Sequence, residues 1–356
     1  MKREKETKNE AFCGVPLFAA ANSGKGFISF YDDIFGRAEI ERRYIIKGGP
    51  GTGKSGFLRR VAEDAEGRGL SVEYYRCSSD PDSLDGIVVD GRIALLDGTA
   101  PHSMDTELPG ARDEIVNLGE FWDAQALGRR RREIALLSEE KSACYRRAYR
   151  FLGACDDLYF VNRDLVLPTV KHEKLSRAVS RLLRELPDGD GFSLLPGLVD
   201  SVGMKGRVRF DSYEQVAGKC YVIEDHYETG ALFLRALITG GMHKECAMRV
   251  SYHPIHVGEP DAVYFCDADV CFVLGETETS TEKGIAMKRF VDAAALRDVR
   301  SKLRVNRRLY DSLLESACDA LTEAGAHHFA LEQIYVSCMD FEAQNRFARS
   351  FCQKIV

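Results

Sequence analysis

The stretch that decides the fold is Gly48-Gly49-Pro50-Gly51-Thr52-Gly53-Lys54-Ser55, and the apolar run Tyr44-Ile45-Ile46 leads directly into it. It fits the pattern G-x-x-x-x-G-K-[ST], a phosphate-binding loop between a strand and a helix. Glycines let the backbone turn tightly enough to direct successive N–H groups at phosphate oxygens. Lys54 adds a positive charge for the β- and γ-phosphates, and the Ser55 hydroxyl can ligate Mg²⁺. The predicted binding residues for a nucleoside triphosphate are Gly48, Gly49, Pro50, Gly51, Thr52, Gly53, Lys54, Ser55 and Gly56.

Three segments after the loop complete a βαβ unit. Residues 56–65 have the apolar spacing of a helix, residues 70–76 that of a strand, and residues 92–97 that of a short buried strand. A strand, a helix and a further strand in this order favour a parallel sheet wrapped by helices. The sequence therefore predicts an α/β fold of the P-loop NTPase type.

Asp97 ends the last of these strands and is the predicted partner of Ser55 in a Mg²⁺ site. Mg²⁺ requires hard oxygen ligands, at least one of them charged, and such a carboxylate commonly ends a strand beside the phosphate loop. An Asp that only begins the Asp97-Gly98 turn is the alternative. Many remodelling ATPases carry Glu after this Asp to activate water, but here the next residue is Gly98, so fast hydrolysis cannot be assumed.

The loop at residues 77–86 follows the second strand and carries three carboxylates, Asp80, Asp82 and Asp85. It is expected at the carboxyl edge of the sheet, where open α/β folds bind their ligands. Asp80 and Asp82 are candidate catalytic residues beside Lys54 and Asp97, because they could orient an acceptor hydroxyl, a water or the metal. A turn that uses Asp-Pro-Asp-Ser for side-chain-to-backbone hydrogen bonds explains the same residues.

The identity of the base is only weakly encoded. The guanine signature N-K-x-D is absent, and Asn162-Arg163-Asp164 is not a substitute for it. ATP with Mg²⁺ is therefore the predicted ligand, although adenine pockets often leave no motif. Thr99, His102 and Asp105 follow Asp97 closely and are candidates to face the γ-phosphate; a solvated or helix-capping role for His102 is the alternative.

The second half of the chain repeats the first. Four matches occur in the same order: Lys25-Gly26 with Phe30 and Lys205-Gly206 with Phe210; Tyr44-Ile45-Ile46 and Tyr221-Val222-Ile223; residues 121–127 and 290–296; residues 154–158 and 317–321. The repeat of the phosphate loop is Glu224-Asp225-His226-Tyr227-Glu228-Thr229-Gly230-Ala231-Leu232. Ala231 and Leu232 hold the positions of Lys54 and Ser55, and the acidic residues repel polyphosphate. We expect this second loop not to bind ATP.

Helical periodicity continues beyond the first sheet. Apolar residues spaced by three and four from Ile134 to Leu158 predict one long helix, in which Lys141 is the only break in the apolar stripe. Residues 173–186 predict a second helix, and the two are expected to form a hairpin. The predicted organisation is a disordered start at 1–12, an active lobe at 13–187 with the hairpin at about 120–187, a linker at 188–203, and a degenerate lobe with C-terminal helices at 204–356.

Two clusters allow further interpretations. The arginines at 129–132, with Arg146, Arg147 and Arg150, could clamp phosphate or nucleic acid, but neighbouring glutamates favour a solvated helix face, so no nucleic-acid partner is expected. Zinc is a second possibility for the following residues, although their spacing fits no finger pattern. They are His253, His256, Cys246, Cys266 and Cys271.

Composition limits the class of protein. The chain has 356 residues, 45% of them hydrophobic and 29% charged, with a formal net charge of −6. This amount of apolar sequence can form two cores. The 11 cysteines include no CxxC pair, which favours reduced thiols, and no apolar run approaches the ~20 residues of a membrane span. We expect a cytoplasmic protein with no membrane partner.

Several further segments are distinctive in combination: Leu17-Phe18-Ala19-Ala20, Gly26-Phe27, Phe30-Tyr31-Asp32, residues 46–55, residues 78–86 and IALLDGTAPH at 93–102. Together they resemble a family of bacterial tandem P-loop ATPase-like proteins found chiefly in Gram-positive lineages. The resemblance spans nearly the whole chain and implies two P-loop modules and ATP binding, with no established substrate. Members often keep a Gly-rich loop in both halves, and residues 225–232 depart from that pattern.

The function expected from the sequence is ATP binding, with slow Mg-ATP hydrolysis at one site in the first lobe coupled to a rearrangement between lobes. One alternative is a kinase for a nucleotide or other small molecule, in which Asp80 and Asp82 orient the acceptor. Another is an ATP-sensing scaffold without turnover that binds a partner protein.

Overall fold

The computed structural model describes residues 10–101, 103–276 and 283–355 as two similar lobes, each with a six-stranded mixed sheet flanked by helices. The strands of the first lobe are β1 Pro16–Phe18, β2 Ala20–Ser23, β3 Gly26–Ser29, β4 Arg42–Lys47, β5 Val72–Arg76, β6 Leu84–Val89, β7 Ile93–Asp97 and β8 Asp113–Asn117. Those of the second are β9 Ser193–Pro196, β10 Asp200–Gly203, β11 Gly206–Arg209, β12 Lys219–Glu224, β13 Ala247–Tyr252, β14 Pro260–Phe265, β15 Val270–Leu274 and β16 Lys283–Ala286.

The α-helices in these ranges are α1 Tyr31–Phe35, α2 Lys54–Gly67, α3 Ala124–Arg129, α4 Arg131–Val166, α5 His172–Glu185, α6 Ser212–Val216, α7 Gly230–His243, α8 Ala293–Val336 and α9 Phe341–Ile355. Short 3₁₀ helices lie at Glu10–Phe12, Leu118–Phe121, Leu167–Thr169 and Met287–Phe290. The helices predicted from periodicity at residues 56–65, 134–158 and 173–186 are confirmed as α2, α4 and α5, and α4 extends beyond the predicted end to Val166.

The two sheets have the same strand order. The first runs β1-β5-β6-β7-β4-β8 and the second β9-β13-β14-β15-β12-β16. In each lobe a small antiparallel hairpin, β2 with β3 or β10 with β11, lies before the central strand in the chain. The repeat inferred from short sequence matches therefore extends to the whole sheet architecture.

The prediction of a parallel sheet is wrong at one strand of each lobe. β6 pairs antiparallel with both β5 and β7, and β14 does the same with β13 and β15. The chain turns back at residues 77–83, and the apolar residues that follow form a strand buried along its whole length. Part of the segment predicted as an acidic loop is thus a central strand.

Two helices pack against the lobe to which they do not belong in the sequence: α5 follows the first lobe but packs on the second, and α9 follows the second lobe but packs on the first. Helix α5 packs its apolar side on α7 of the second lobe, where Leu175 and Val179 join the core around Phe233. Helix α9 packs on α2 of the first lobe, where Phe351 contacts the ring of Phe57. The long helices α4 and α8 lie against each other. The predicted hairpin of α4 with α5 is therefore split between the lobes.

The structure also differs from the predicted boundaries. Residues 193–196 and 200–203, predicted as linker, form β9 and β10, because β9 pairs with β13 and completes the second sheet. At the start of the chain, residues 10–12 form a 3₁₀ helix and Phe12 is buried against Tyr213 and Tyr264. The apolar pattern of a segment does not reveal that its partner lies in another lobe.

A buried ion pair joins the lobes. Glu73 on β5 and Arg249 on β13 occupy equivalent positions in the two sheets, since Val72 pairs with Val89 at the end of β6 and Met248 with Phe265 at the end of β14. Arg249 Nη2 donates to Glu73 Oε2 at 2.6 Å, and both side chains are buried. The duplicated position has diverged to opposite charges that meet between the lobes.

Candidate functional site

The first lobe places the glycine-rich loop of residues 48–55 between a strand and a helix, as the sequence predicts. Central strand β4 lies between β7 and β8, the loop leaves its carboxyl end, and α2 begins at Lys54. Gly51 and Gly53 have φ values of +66° and +78°, in the left-handed region that disfavours residues with a Cβ. The first N–H groups of a helix have no acceptor within it, so the start of α2 offers donors to an anion.

A cavity of about 940 Å³ opens over this loop. All nine predicted binding residues, 48–56, line it. Asp97 and Asp80 line it as well, while Asp82 is not among its lining residues. The structure therefore brings together the phosphate loop and two of the three carboxylates predicted to act beside it.

Lys54 is held over its own loop. Its Nζ donates to the carbonyl oxygens of Gly48 at 3.1 Å and Gly49 at 2.8 Å, and lies 3.6 Å from Asp97 Oδ2. Its charge is compensated by a carboxylate and two carbonyl dipoles.

Asp97 is oriented by the residue two positions after it. Asp97 Oδ1 accepts hydrogen bonds from the N–H of Thr99 at 2.9 Å and from its hydroxyl at 2.6 Å. This leaves Oδ2 on the side of Lys54. The hydroxyl oxygen of Ser55 accepts from the N–H of Leu84 at 3.0 Å. Ser55 and Asp97 thus present a hydroxyl and a carboxylate to one cavity, which is a donor set suited to Mg²⁺.

The residue after Asp97 has no room for a side chain. A Cβ on Gly98 would lie 2.3 Å from Ile45 Cγ2. Lys47 Nζ donates to the Gly98 carbonyl at 2.6 Å and to the Met104 carbonyl at 3.0 Å, which fixes the segment after the strand. A glutamate for water activation is therefore sterically excluded from this position. His102, the other candidate nearby, lies outside the described residues.

Asp80 and Asp82 have different surroundings. Asp80 accepts from the hydroxyl of Ser83 at 2.8 Å and lies 3.3 Å from Lys205 Nζ, which belongs to the second lobe. The Asp82 side chain is 81% exposed and pairs with the same lysine, which lowers the pKa of its carboxyl. Asp85 at the start of β6 is buried and lines the cavity. Of the three carboxylates in this segment, Asp80 and Asp85 line the cavity and Asp82 does not.

Sequence reasoning missed the residues that the long helices contribute to the cavity. The side chains that line it include Ser138, Lys141 and Tyr145 of α4, and His328, Glu332 and Val336 of α8. The signal for Lys141 was present as the break in the apolar stripe of α4. Burial and then the charge of Lys54 lower the pKa of Lys141, so two lysines converge on one cavity.

The C-terminal helices also close on the loop itself. A Cβ on Gly51 would lie 2.7 Å from the carbonyl oxygen of Glu332, and one on Gly49 would lie 2.7 Å from the ring of Tyr335. Gln344 Nε2 of α9 donates to the Thr52 carbonyl at 3.0 Å. The glycines of the loop thus serve the close approach of α8 as well as the tight backbone turn. A ligand in the loop has α8 as a direct neighbour.

The second lobe lacks the groups that make this site. β12 is followed by residues 225–229 and then by α7, and Leu274 takes the sheet position of Asp97, because Ile46 pairs with Asp97 and Ile223 with Leu274. The carboxylate of Asp225 accepts from the N–H of Gly230 at 2.6 Å and of Tyr227 at 3.1 Å. The start of α7 therefore holds an anion of the protein itself.

The zinc alternative is not supported by the arrangement of its residues. His256 Nδ1 lies 3.0 Å from Asp156 and its Nε2 lies 3.1 Å from the Tyr310 hydroxyl. Among the residues that the structure describes, the candidate ligand group that does come together is Cys144 with Glu323 and His327, between α4 and α8. There the Arg147 guanidinium already pairs with Glu323.

Three of the seven arginines at positions 129–132, 146, 147 and 150 pair with glutamates among the described residues: Arg130 with Glu133, Arg146 with Glu139 and Arg147 with Glu323. Arg146 also lines the cavity. This pattern is that of a solvated helix face.

Comparisons with known protein families, curated proteins and solved structures find no match for this chain. The resemblance to tandem P-loop proteins stays a prediction, and any assignment of function depends on the geometry. No helix in the described part of the chain combines the length and the apolarity needed to span a bilayer.

Proposed function

We propose that the first lobe binds Mg-ATP in the cavity over residues 48–56 and hydrolyses it slowly at this one site. The observation that carries the proposal is the placement of Lys54 Nζ, 3.6 Å from Asp97 Oδ2 and within hydrogen-bond distance of its own loop. A cation on a glycine loop, beside a carboxylate that ends the adjacent strand, is the arrangement that phosphoryl chemistry uses.

Each residue has a separate role in this proposal. The loop N–H groups and Lys54 bind the β- and γ-phosphates, and Lys141 adds a second cation from α4. Ser55 and Asp97 would hold Mg²⁺, which would offset phosphate charge when bound. No glutamate follows Asp97, and a Cβ at Gly98 would collide with Ile45, so efficient activation of water is not expected.

Contact between the loop and α8 supports coupling of the nucleotide to the helices. Glu332 and Tyr335 lie where any Cβ on Gly51 or Gly49 would be. A phosphate that shifts the loop must therefore shift α8 or be resisted by it. Since α8 also packs along α4, which carries Lys141, the two long helices are the elements proposed to rearrange.

Single-turnover assays with ATP labelled at the γ-phosphate test the proposal. With protein in excess over ATP and with Mg²⁺ present, we expect slow release of labelled phosphate and one nucleotide bound per chain. Lys54→Ala is expected to weaken binding about 100-fold and to abolish release. One nucleotide bound with no release would leave ATP sensing as the function. Absence of binding would overturn the proposal.

Phosphoryl transfer to a small acceptor is a second candidate, because Asp80 and the buried Asp85 face the same cavity. Either carboxylate could orient an acceptor hydroxyl or accept its proton. Incubation with labelled ATP and a metabolite extract separates the two reactions. Label on an organic product that Asp85→Asn reduces would favour the kinase, whereas label on inorganic phosphate alone would favour hydrolysis.

A further inference from the structure

The second lobe has a cavity of its own, of about 820 Å³, beside the start of α7. Because Asp225 already occupies the helix start and Leu274 replaces Asp97, this cavity cannot bind phosphate as the first one is proposed to. Three other features of its walls indicate a ligand that binds away from the start of the helix.

The first feature is a buried carboxylate. Asp261 is 2% exposed and lines the cavity, and neither of its oxygens makes a well-formed hydrogen bond to a described residue. Its closest cation is Arg209 Nη1, at 3.9 Å. Burial raises the pKa of Asp261 to about 6, although Arg209 and the Ser251 hydroxyl act to lower it. A buried carboxyl group with so few donors is costly unless a ligand supplies more.

Asp261 is also the equivalent of Asp85. Each is the second residue of the antiparallel strand, since Gly86 pairs with Leu96 and Ala262 with Val273. The second lobe has lost the counterparts of Lys54, Ser55 and Asp97 but has kept this acid. Both acids line the cavity of their lobe.

The second feature is a column of rings. Tyr159 stacks on His256 at a centroid distance of 3.9 Å, and His256 stacks on His253 at 4.3 Å. All three residues line the cavity. Burial lowers the pKa of both histidines, so the imidazoles are neutral at neutral pH. His256 has a ring on each side, so the column can offer a heterocycle only the faces of Tyr159 and His253 that are turned away from His256.

The third feature is a row of arginines on α8. Arg300, Arg304 and Arg307 line the cavity at spacings of four and three, so they share one helix face. They are exposed, and none makes a salt bridge to a residue in the described ranges. By the match of residues 154–158 with 317–321, Arg304 corresponds to Lys141 of the first cavity. Glu228 also lines the cavity and interacts with the charge of Arg307, but burial raises the pKa of its carboxyl to about 7, which reduces its repulsion of an anion. The three guanidinium groups can therefore bind phosphate oxygens.

We propose that the second cavity binds a guanine nucleotide, with the base at Asp261 and the ring column and the phosphates at the arginines of α8. The N1–H and N2–H groups of guanine are adjacent donors that can pair with both oxygens of one carboxylate, whereas adenine lacks such a pair. This site is independent of ATP in the first lobe. It would make the degenerate lobe a sensor of a second nucleotide.

Titration calorimetry on Lys54→Ala protein tests the site with nucleotide binding at the first loop weakened about 100-fold. The probes are GDP, ADP and inorganic phosphate. We expect one GDP per chain, bound at least about tenfold more tightly than ADP, because a hydrogen bond to a charged carboxylate contributes about that factor to affinity. Arg304→Gln should weaken GDP about tenfold. Arg308→Gln, an exposed arginine of the same helix outside the cavity, is the matched control and should change nothing.

A change of ligand preference tests direct contact with Asp261. Asp261→Asn replaces one acceptor oxygen with an amide donor, so it should weaken GDP and favour xanthosine diphosphate, which has a carbonyl oxygen where guanine has its amino group. Gain of the xanthine ligand cannot arise from misfolding. Three results would overturn the proposal: no GDP binding at millimolar concentration, equal binding of ADP and GDP, or equal losses in Arg304→Gln and Arg308→Gln.

Discussion

The two lobes use one sheet architecture but treat the start of the helix after the central strand in opposite ways. In the first, Gly53 precedes α2 in a left-handed conformation, and no acidic side chain lies in the loop. In the second, the Asp225 carboxylate accepts the N–H of Gly230 at the start of α7. A helix start needs an acceptor for its free N–H groups, and either a ligand or the protein can provide it.

This difference separates what the fold requires from what the proposed nucleotide site requires. The central strand, the following helix and the strand order are shared by both lobes. Lys54, Ser55 and Asp97 occur only in the first, where they line a cavity, and their counterparts Ala231, Leu232 and Leu274 carry no charge. The groups lost from the second lobe are thus those that the fold does not need.

The largest change in stability is expected at Glu73 and Arg249, which occupy equivalent positions in the two sheets and form an ion pair between the lobes. Glu73→Gln leaves Arg249 and Arg37 buried without a counter-charge, so the free energy of unfolding should fall by about 3–5 kcal/mol. Urea unfolding measures this. Glu41→Gln, which breaks an exposed pair with Arg92, is the control and should cost less than about 1 kcal/mol. Equal losses would mean that the lobes are not joined by this pair.

Acid should weaken the same junction. Burial acts to raise the pKa of Glu73, but Arg249 and Arg37 outweigh it and hold the pKa at about 2, below the usual 4.5. A depressed carboxyl pKa stabilises the fold above the unfolded value, and this stability is lost as pH falls from about 4.5 towards 2. The difference in unfolding free energy between the wild type and Glu73→Gln should therefore shrink over that range. A constant difference would contradict the ion pair.

The next effect tests whether the first loop depends on α8. Gly51→Ala adds left-handed strain and a clash with the Glu332 carbonyl, so it should cost about 2–4 kcal/mol. Gly69 also has positive φ, at +83°, but a Cβ there meets nothing within 4 Å, so Gly69→Ala should cost only about 1–2 kcal/mol. Thermal or urea unfolding compares the two. Equal costs would show that α8 does not restrain the loop.

Replacing one charged residue in each loop by alanine compares the two lobes directly. Lys54→Ala should weaken ATP about 100-fold, because a charged contact to the phosphates is lost. Asp225→Ala in the second loop should leave ATP affinity within about twofold, since one hydrogen-bond acceptor far from the first cavity is removed. Equilibrium binding of a fluorescent ATP analogue measures both. Equal losses would require a site shared by the two loops.

The sequence predicts the parts of the site that lie close together along the chain. Residues 48–56 and Asp97 follow from loop and strand patterns, and both line one cavity. Lys141, Glu332 and the exchange of α5 and α9 between lobes do not follow, because a stripe of apolar residues shows that a helix packs but not on what. β6 was missed because Asp and Ser residues before Leu84 suggested a turn, whereas pairing with β5 and β7 decides the strand.

The smallest effect is expected at Lys141, and it separates binding from stability. Burial and the charge of Lys54 lower the pKa of Lys141 in the folded protein. The charged side chain therefore destabilises the fold at pH values below the pKa that Lys141 has in the unfolded chain. Lys141→Met keeps an unbranched side chain only one heavy atom shorter and removes the charge. The melting temperature without ligand should rise slightly, while ATP affinity should fall about tenfold.

A rise in melting temperature together with a fall in ATP affinity would show that the charge of Lys141 serves a ligand and does not stabilise the fold. Thermal unfolding with and without Mg-ATP measures both quantities on one sample. Arg304→Met at the corresponding position of α8 is the matched control, because that arginine lines the second cavity and should not alter ATP affinity. A fall in stability with unchanged affinity would make Lys141 a structural residue and would remove α4 from the nucleotide site.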